Sequence, residues 1–528
     1  MTSNADQDLE RWRALVERGL KGAPFDSLVG KTLEGIAIQP LYTERDRPSE
    51  EGVPWAPRSP RLVGPAGVLP ESLSAHRDAG ASLAWVFAGA GELPETEDLV
   101  TVAVSLRGVE GLASKGSRWV RPVADPWTGW VTLAARRKEA DQARALDEIA
   151  TAVSARRPSL GVASWVWDVL YGANAIDELA LSLASLVESL RALDARGVSL
   201  DDAVDGATVG VGIGVEFFDE IAKLRALRRL VNRVLVACAI QTRPLIVAVN
   251  SSHNHQPVDR PVNLLRNTIA ASAALLGGAD GVAVYAHERI ENNALPERIA
   301  RNVPLVLALE SFLPGVDDPA RGSFYVERLT DELVRAAWES FREIEREGGL
   351  ARAHARVVER LERSQAQRRN LIRTRRRPLV GVSRFPTREP GRDYDASDAK
   401  PFIEVRARAQ GQVARVITLA ACPSARVDFA REILAISGLS DDVVALTDDA
   451  AAALSNASIV ILAAPDAALP DELPTVVRAL RAAGAKAIGV AAKPGAHEQA
   501  LRDAGVDAFV FLGADVVTFA ETLLEKAS

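Results

Sequence analysis

The chain has 528 residues, of which 48% are hydrophobic and 25% charged, and its formal net charge is −7 at pH 7. This composition is typical of a soluble globular protein with two to four domains, and the acidic balance argues against general binding to nucleic acids or anionic membranes. Two cysteines, Cys238 and Cys422, exclude a disulfide framework and a cysteine-based metal site. The polar, acidic start is unlike a signal peptide, and no apolar run reaches the roughly 18 residues that a membrane span requires. We therefore expect a cytoplasmic protein.

Residues 1–44 are predicted to form an N-terminal arm for contact with another subunit. The arm begins with a short amphipathic helix in DLERWRALVERGL and continues as the extended stretch KTLEGIAIQPLYT. From 45 to 80, proline and glycine recur so often that this segment is predicted to be irregular.

Apolar strand-like runs then alternate with helical patterns up to about residue 367. Continuous apolar strands separated by helices are typical of a parallel sheet that is covered on both faces. The alternation predicts a (β/α)8 TIM barrel over residues 45–367. The clearest predicted strands are 82–89, 99–106, 129–135, 159–167, 207–214, 244–250 and 281–286, and predicted helices include 177–193, 216–239, 261–276 and 324–347.

A basic and polar stretch, residues 368–404, is predicted to link the barrel to a second domain. Its arginines form either a solvated helix end or a site for an acidic partner surface. Five short apolar strands then predict a flavodoxin-like doubly wound domain over residues 405–528. The arginines are Arg368, Arg369, Arg373, Arg375, Arg376 and Arg377, and the strands are 414–421, 441–447, 457–464, 485–492 and 507–512.

A glycine-rich stretch lies between a predicted barrel strand and the next helix. Gly210, Gly212 and Gly214 resemble a dinucleotide-binding loop only loosely, because Glu216 stands where a third small residue should allow close helix packing. The alternative is a plain turn whose glycines permit close backbone approach.

Histidines follow two predicted strands, at the end of a barrel where active sites lie. His253 and His255 could share a metal, contact a substrate or cofactor, or be polar residues of the barrel mouth; no third ligand is evident, so no metal site is predicted. His287 and Glu291 are either further mouth residues or parts of a solvated loop. The sequence contains no nucleophile-elbow, zinc-protease or P-loop motif.

Five segments are similar, in order and spacing, to parts of the methylmalonyl-CoA mutase family. This resemblance extends over most of residues 25–350, and its most specific part is VDDPARGSFYVERLTDELVRAAW. The C-terminal domain matches the family in position and pattern but scarcely in residues. The segments are 32–43, 215–230, 258–280, 292–311 and 316–338.

The resemblance implies an acyl-CoA-binding barrel and a flavodoxin-like domain, which in the family hold adenosylcobalamin between them. In catalytic members the first turn of the second domain reads Asp-x-His-x-x-Gly, where the histidine is the lower axial ligand of cobalt and the aspartate orients it. Here that turn contains Ala421, Cys422, Pro423 and Ser424. The resemblance therefore implies a degenerate, cobalamin-binding-type domain without the residues that bind the cofactor.

The barrel also departs from the family pattern. Catalytic members carry a Tyr-His pair shortly before a Gly-Ala that opens a helix; aligned on residues 172–173, this pair is replaced by Val166 and Trp167. The arginine- and tyrosine-rich stretch that lines the family's CoA channel has no counterpart between 44 and 90. Glu291 falls where the family has a glutamate near the adenosyl ribose. This one retained residue is not enough to form the family's substrate and cofactor site.

The resemblance implies a non-catalytic small subunit that pairs with a homologous, catalytic large subunit. That pair would interconvert methylmalonyl-CoA and succinyl-CoA, with adenosylcobalamin in the partner and with no cofactor, metal or catalytic residue in this chain. An obligate interface of this kind typically buries more than about 2,000 Å². The alternatives are a divergent active acyl-CoA mutase, or a barrel protein with an unrelated small-molecule binding or regulatory role.

Overall fold

The computed structural model describes residues 4–48, 61–87, 98–105, 120–124, 139–155, 160–163, 172–288, 293–387, 397–440, 442–446 and 449–528. The chain divides into two compact units. The first comprises Met1–Ser251 and Leu265–Ser364, and the second comprises Ser252–Leu264 and Gln365–Ser528. The second unit thus includes a short segment from the middle of the region that the sequence assigns to the barrel. The domain bounds drawn from the sequence stay a prediction.

The N-terminal segment contains a helix and a small hairpin. Helix α1 (Asn4–Gly19) lies where the sequence predicts an amphipathic helix, and none of its described side chains is buried. Trp12 of this helix packs edge-on against Phe25, with ring centroids 5.9 Å apart. Further along, β1 (Gly30–Lys31) pairs antiparallel with β2 (Ala37–Ile38).

An eight-stranded parallel sheet lies at the centre of the first unit. Each strand pairs with the next one along the chain, except that no ladder joins the fourth strand to the fifth in the described residues, and the last strand pairs with the first. The predicted α/β class is confirmed. The strands are β3 (Leu62–Ala66), β4 (Leu83–Phe87), β5 (Val100–Ser105), β6 (Val120–Ala124), β7 (Gly161–Ala163), β8 (Thr208–Ile213), β9 (Leu245–Asn250) and β10 (Gly281–Tyr285).

Strand β3 corrects the expectation of an irregular segment over residues 45–80. Gly64 and Pro65 conceal this strand in the sequence, because both residue types are uncommon in strand interiors. Pro65 nevertheless stands opposite Val284 of β10 in a parallel ladder. The predicted strand 129–135 lies outside the described residues, whereas β8, β9 and β10 lie where they are predicted.

On one face of this sheet, side chains of β3, β4, β5, β9 and β10 form an apolar cluster that includes the fully buried Trp85. Across the strands, Trp85 stands opposite Ala66 on one side and Val102 on the other. The strands approach closely at Gly64, where a Cβ atom would lie 1.7 Å from the carbonyl oxygen of Leu83. The buried members of this apolar cluster are Ala66, Leu83, Trp85, Val102, Leu245, Val247, Val249 and Ala283.

The other face of the sheet packs against helices through residues such as Val209 and Val211 of β8. Helix α4 begins after Asn174, whose side chain accepts a hydrogen bond from the amide of Asp177 at 2.9 Å, as expected of an N-cap. Among the described helices, none combines the length and the apolar character that crossing a membrane requires. After α1 the helices are α2 (Leu73–Asp78), α3 (Glu139–Ser154), α4 (Ala175–Asp194), α5 (Leu200–Asp205), α6 (Phe217–Ala237), α7 (Val262–Leu276), α8 (Leu295–Leu309), α9 (Phe324–Arg346) and α10 (His354–Arg373).

The second unit is built around a five-stranded parallel sheet. Numbering its strands by chain position, their spatial order is 2-1-3-4-5, which is a common order of doubly wound sheets. Two separate apolar clusters pack in this unit. The strands are β11 (Ala414–Thr418), β12 (Asp442–Ala445), β13 (Ile459–Ala463), β14 (Ala487–Val490) and β15 (Ala508–Phe509), and the helices are α11 (Lys400–Arg408), α12 (Ser424–Ile436), α13 (Ala450–Leu454), α14 (Glu472–Ala482), α15 (Glu498–Ala504) and α16 (Val516–Ala527).

Three arginines of the predicted basic run are ion-paired within the second unit. The buried Arg368 binds both carboxylate oxygens of Asp398, and the closest contact is 2.8 Å. Arg373 contacts Asp515 at 2.7 Å, and Arg375 pairs with Glu432. The environment of these three side chains is therefore neither that of a solvated helix end nor that of a site for an acidic partner surface. Their carboxylates come from distant parts of the chain, which local charge patterning cannot reveal.

The close approach at Gly64 predicts that Gly64→Ala will destabilise the first unit. We expect the free energy of unfolding to fall by about 1–3 kcal/mol or more, because the added methyl group meets backbone that cannot move aside. Urea unfolding followed by far-UV circular dichroism measures the change. Gly315→Ala is the matched control, because a Cβ atom there meets nothing within 4 Å. Equal stability of the two variants would contradict the packing of β3 against β4.

Candidate functional site

The turn between β11 and α12 lies where ligands bind in sheets of this order, at the carboxyl end of the strand beside which the order reverses. Ala421 adopts a left-handed backbone conformation with φ 58°. Pro423 is the N-cap residue of α12 and makes no side-chain capping bond. Ala421, Pro423 and Ser424 are exposed, and Cys422 is half-buried. The turn therefore presents a methyl group, a thiol, a proline ring and a hydroxyl, but no imidazole or carboxylate.

Arg426, in the first turn of α12, spans the neighbouring crevice between β11 and β13. Its guanidinium donates to the carbonyl of Ala464, the residue after β13, and contacts Asp466 at 2.8 Å. A doubly wound sheet of this order places a ligand between these two loops. Here a side chain of the chain itself bridges them. Sequence reasoning missed Arg426, because its partners lie 38 and 40 residues away.

Cys422 does not present a reactive thiolate. Burial raises the pKa of its thiol above the ordinary value, and only weaker contributions from Thr418 and Arg426 oppose this shift. The thiolate is the form of cysteine that binds metals and attacks electrophiles. Among the described residues, no group of three or more His, Cys, Asp or Glu side chains is placed to hold a metal ion.

His253 and His255 belong to the second unit, because they lie in Ser252–Leu264. Both are buried. Neither ring nitrogen of His253 has a hydrogen-bond partner among the described residues. The carbonyl of His255 accepts a hydrogen bond from the hydroxyl of Ser397 at 3.1 Å. The backbone amide of Gln256 donates to the side chain of Asn263, and the side-chain amide of Asn263 donates to the backbone carbonyl of Gln256. The described hydrogen bonds of this segment thus lie within the second unit, and the roles of His253 and His255 stay predictions.

His287 lies in the first unit, directly after β10. Its Nε2 atom is 3.3 Å from the carboxylate of Glu288, and the ring is buried. The predicted mouth residue Glu291 lies outside the described residues, as do Val166 and Trp167. Their roles stay predictions.

Three residues that sequence reasoning did not single out form a closed network at the carboxyl ends of β9 and β10. The amide of Asn250 donates to Asn267 at 2.7 Å, and the amide of Asn267 donates to the carbonyl of Tyr285 at 2.9 Å. The backbone amide of Tyr285 returns a bond to Asn250 at 2.6 Å. Asn250 and Asn267 are both buried. Their polar groups therefore hold the strand ends together.

The glycine-rich stretch at the end of β8 binds carboxylates of the chain itself. The amide of Gly212 donates to Glu178 at 2.7 Å, and the amide of Gly214 donates to Glu220 at 2.9 Å. Lys223 lies between these carboxylates, 3.0 Å from Glu178 and 2.7 Å from Glu220, and all three charged side chains are buried. Backbone amides that a dinucleotide loop would offer to a phosphate are therefore already satisfied. Of the two sequence interpretations, the plain turn agrees with this geometry.

The chain is similar in sequence to proteins described as methylmalonyl-CoA mutases or their small subunits. The family model described as methylmalonyl-CoA mutase matches residues 170–422. The methylmalonyl-CoA mutase small subunit of Streptomyces virginiae is 31% identical over 99% of this chain and 97% of its own length. The protein with the same description from Propionibacterium freudenreichii subsp. shermanii is 31% identical over 67% of this chain and 61% of its own length. The methylmalonyl-CoA mutase of Escherichia coli (strain K12) is 33% identical over 40% of this chain and 31% of its own length.

Proposed function

The chain belongs to the methylmalonyl-CoA mutase family of isomerases, and from this premise we propose that it is the non-catalytic small subunit of a heterodimeric, adenosylcobalamin-dependent mutase. The partner is a homologous large subunit that carries out the interconversion of methylmalonyl-CoA and succinyl-CoA. The role of this chain is to support assembly and stability of that subunit. The full-length similarity to a protein described as a small subunit supports this assignment.

The proposed fold is a closed (β/α)8 TIM barrel over residues 45–367 and a flavodoxin-like domain over 405–528, with a linker between them. The pairing of β10 with β3 and the cyclic order of the strands support a closed barrel. The 2-1-3-4-5 order of the second sheet supports the flavodoxin-like assignment.

The turn that precedes α12 is the observation on which the non-catalytic role depends. Its residues do not fit adenosylcobalamin, because Ala421, Cys422, Pro423 and Ser424 offer no imidazole to cobalt. Pro423 also lacks a backbone donor, and the raised pKa of the Cys422 thiol disfavours the thiolate that would bind a metal. Arg426 bridges the crevice in which a ligand of this fold would lie.

The apolar face of the eight-stranded sheet supports the same role. In the proposed barrel, side chains such as Trp85, Val102 and Val247 would occupy the part of the interior next to β3, β4, β5, β9 and β10. A polar, extended ligand such as coenzyme A would have to displace them, and each buried aromatic or aliphatic side chain contributes roughly 1.5–3 kcal/mol to stability. We therefore propose that no acyl-CoA passes through this barrel.

The N-terminal arm is the proposed surface for contact with the large subunit. A helix of 16 residues is marginally stable in isolation, and its stability normally comes from burying an apolar face. No described side chain of α1 is buried within this chain, and Leu15 is 54% exposed. A partner that covers this face would supply the missing packing. Because both cysteines are free thiols, we further propose a cytoplasmic location for the complex.

Titration of the isolated chain with adenosylcobalamin tests the absence of the cofactor site. We expect no stoichiometric change in the absorption spectrum, because the turn contains no ligand for cobalt. The large subunit, purified and titrated in the same way, is the positive control. Tight binding of one cofactor by the isolated small chain would overturn the proposal in favour of a divergent active mutase.

Substitution of Leu15 tests the arm as the contact surface. Leu15→Asp is expected to weaken association with the large subunit at least about tenfold, because it places a charge on the face that the partner covers. Co-purification and titration calorimetry measure the affinity, and circular dichroism verifies that the isolated chain is unchanged. Leu512→Asp is the control, since Leu512 is 91% exposed but lies in the second unit. If Leu15→Asp binds as wild type, the arm is not the contact surface.

A further inference from the structure

The arm is held to the first unit by a carboxylate at the start of a helix. Glu34 lies in the loop between β1 and β2, and its side chain accepts a hydrogen bond from the amide of Ala175 at 2.9 Å. Ala175 is the first residue of α4, where an unpaired backbone amide and the helix dipole favour a negative charge. The bond therefore fixes the loop between β1 and β2 to the start of α4.

An aromatic group holds the same region of the arm. Tyr42 packs on Tyr325 of α9, with ring centroids 5.1 Å apart, and Phe218 of α6 packs on the other side of Tyr325 at 5.7 Å. The hydroxyl of Tyr325 donates to the carboxylate of Asp219 at 3.3 Å. Asp219 is therefore linked through Tyr325 to Tyr42 of the arm.

Asp219 is surrounded by other carboxylates. Burial is the main cause that raises its pKa to about 7, and the charges of Glu34, Glu216 and Glu220 raise it further. These three come from the arm, the N-cap of α6 and α6 itself. The hydrogen bond from Tyr325 on α9 opposes the shift but does not cancel it.

The nearby positive charges are already engaged. Lys223 of α6 lies between Glu220 and Glu178 of α4, at 2.7 and 3.0 Å. Arg225, two residues further along α6, binds Asp318 at 2.9 Å and Glu327 of α9 at 2.8 Å. The charge of Glu34 therefore disfavours the ionised form of Asp219.

We propose that Asp219 is a proton-controlled latch for the N-terminal arm. With a proton on Asp219, the arm docks with Glu34 on the start of α4 and Tyr42 on Tyr325. When Asp219 loses its proton, repulsion from Glu34 and the hydration of the new charge loosen the hairpin between β1 and β2. This device is a property of the single chain and does not depend on the mutase role.

The direction of the pH dependence follows from linkage. Release of the arm exposes Asp219 and removes Glu34 from its surroundings, so its pKa returns toward the ordinary carboxyl value. The docked state then binds the proton more tightly than the released state does. Docking is therefore strongest at low pH, weakens as the pH rises toward about 7, and is constant once Asp219 is ionised in both states.

Hydrogen exchange of the full-length chain measures this latch directly. Protection factors of amides 30–38 and of Ala175, corrected for intrinsic exchange, are compared at about pH 5.5 and about pH 8.5. In the wild type we expect protection to fall at least about tenfold at the higher pH, since each unit of a pKa shift corresponds to a tenfold change. Asp219→Asn should abolish the fall, because its amide is neutral at both pH values.

Two further variants make the result decisive. Glu34→Gln should also reduce the pH dependence of protection, because it removes one of the charges that raise the pKa of Asp219. It takes the place of Asp219→Asn as the test variant if Asp219→Asn does not fold. Asp205→Asn, at an exposed carboxylate at the end of α5, should behave as wild type. Equal wild-type protection at the two pH values, or an undiminished fall in Asp219→Asn, would overturn the latch. Either result leaves the proposed mutase role untouched, because no partner or cofactor is present in the measurement.

Discussion

The parallel pairing of β3 with β10 is the contact on which the first unit depends. It joins the first strand of the eight-stranded sheet to the last, and all five residues of β3 take part. Gly64 allows β4 to approach β3 on the side opposite β10. A side chain at position 64 would collide with the backbone of Leu83 in β4. Trp85 can then stand opposite Ala66 and fill the space between strands. The apolar cluster around Trp85 on this face of the sheet depends on that geometry.

The strands that are uniformly apolar could be predicted from the sequence. Buried parallel strands are continuous apolar runs in the sequence, which is why β8, β9 and β10 could be predicted. The same reasoning predicts β13 and β14. β3 could not be predicted, because Gly64 and Pro65 have the appearance of a turn and only the neighbouring strands explain them. The helix N-caps at Asn174 and Ser323 follow local rules and could be read from the sequence.

The candidate site was predictable in its residue types but not in its contacts. That the turn from Ala421 to Ser424 has no imidazole or carboxylate is evident from the sequence. The bridge made by Arg426 depends on the loop after β13, and the Asn250–Asn267–Tyr285 network depends on two different strands and a helix. Tertiary contacts of this kind have no local signature. The glycines at the end of β8 show the same limit, since only the fold brings Glu178 to Gly212.

These features together describe a scaffold in which several polar groups at the former ligand positions are bound by other residues of the same chain. The amides at the end of β8 bind carboxylates of the chain, Arg426 bridges the crevice of the second sheet, and an apolar cluster lies on one face of the first sheet. Within the described residues, no side chain of α1 is buried, and Leu15 of this helix is largely exposed. In our proposal, evolution of this subunit has filled the ligand sites and kept the surface that binds a partner.

The cobalt content of the purified heterodimer tests the non-catalytic role most directly. The complex of this chain with its large subunit, reconstituted with excess adenosylcobalamin and freed of unbound cofactor, is analysed for cobalt and for protein. We predict one cobalt per pair of chains, because only the large subunit binds the cofactor. Two cobalts per pair would contradict the proposed role.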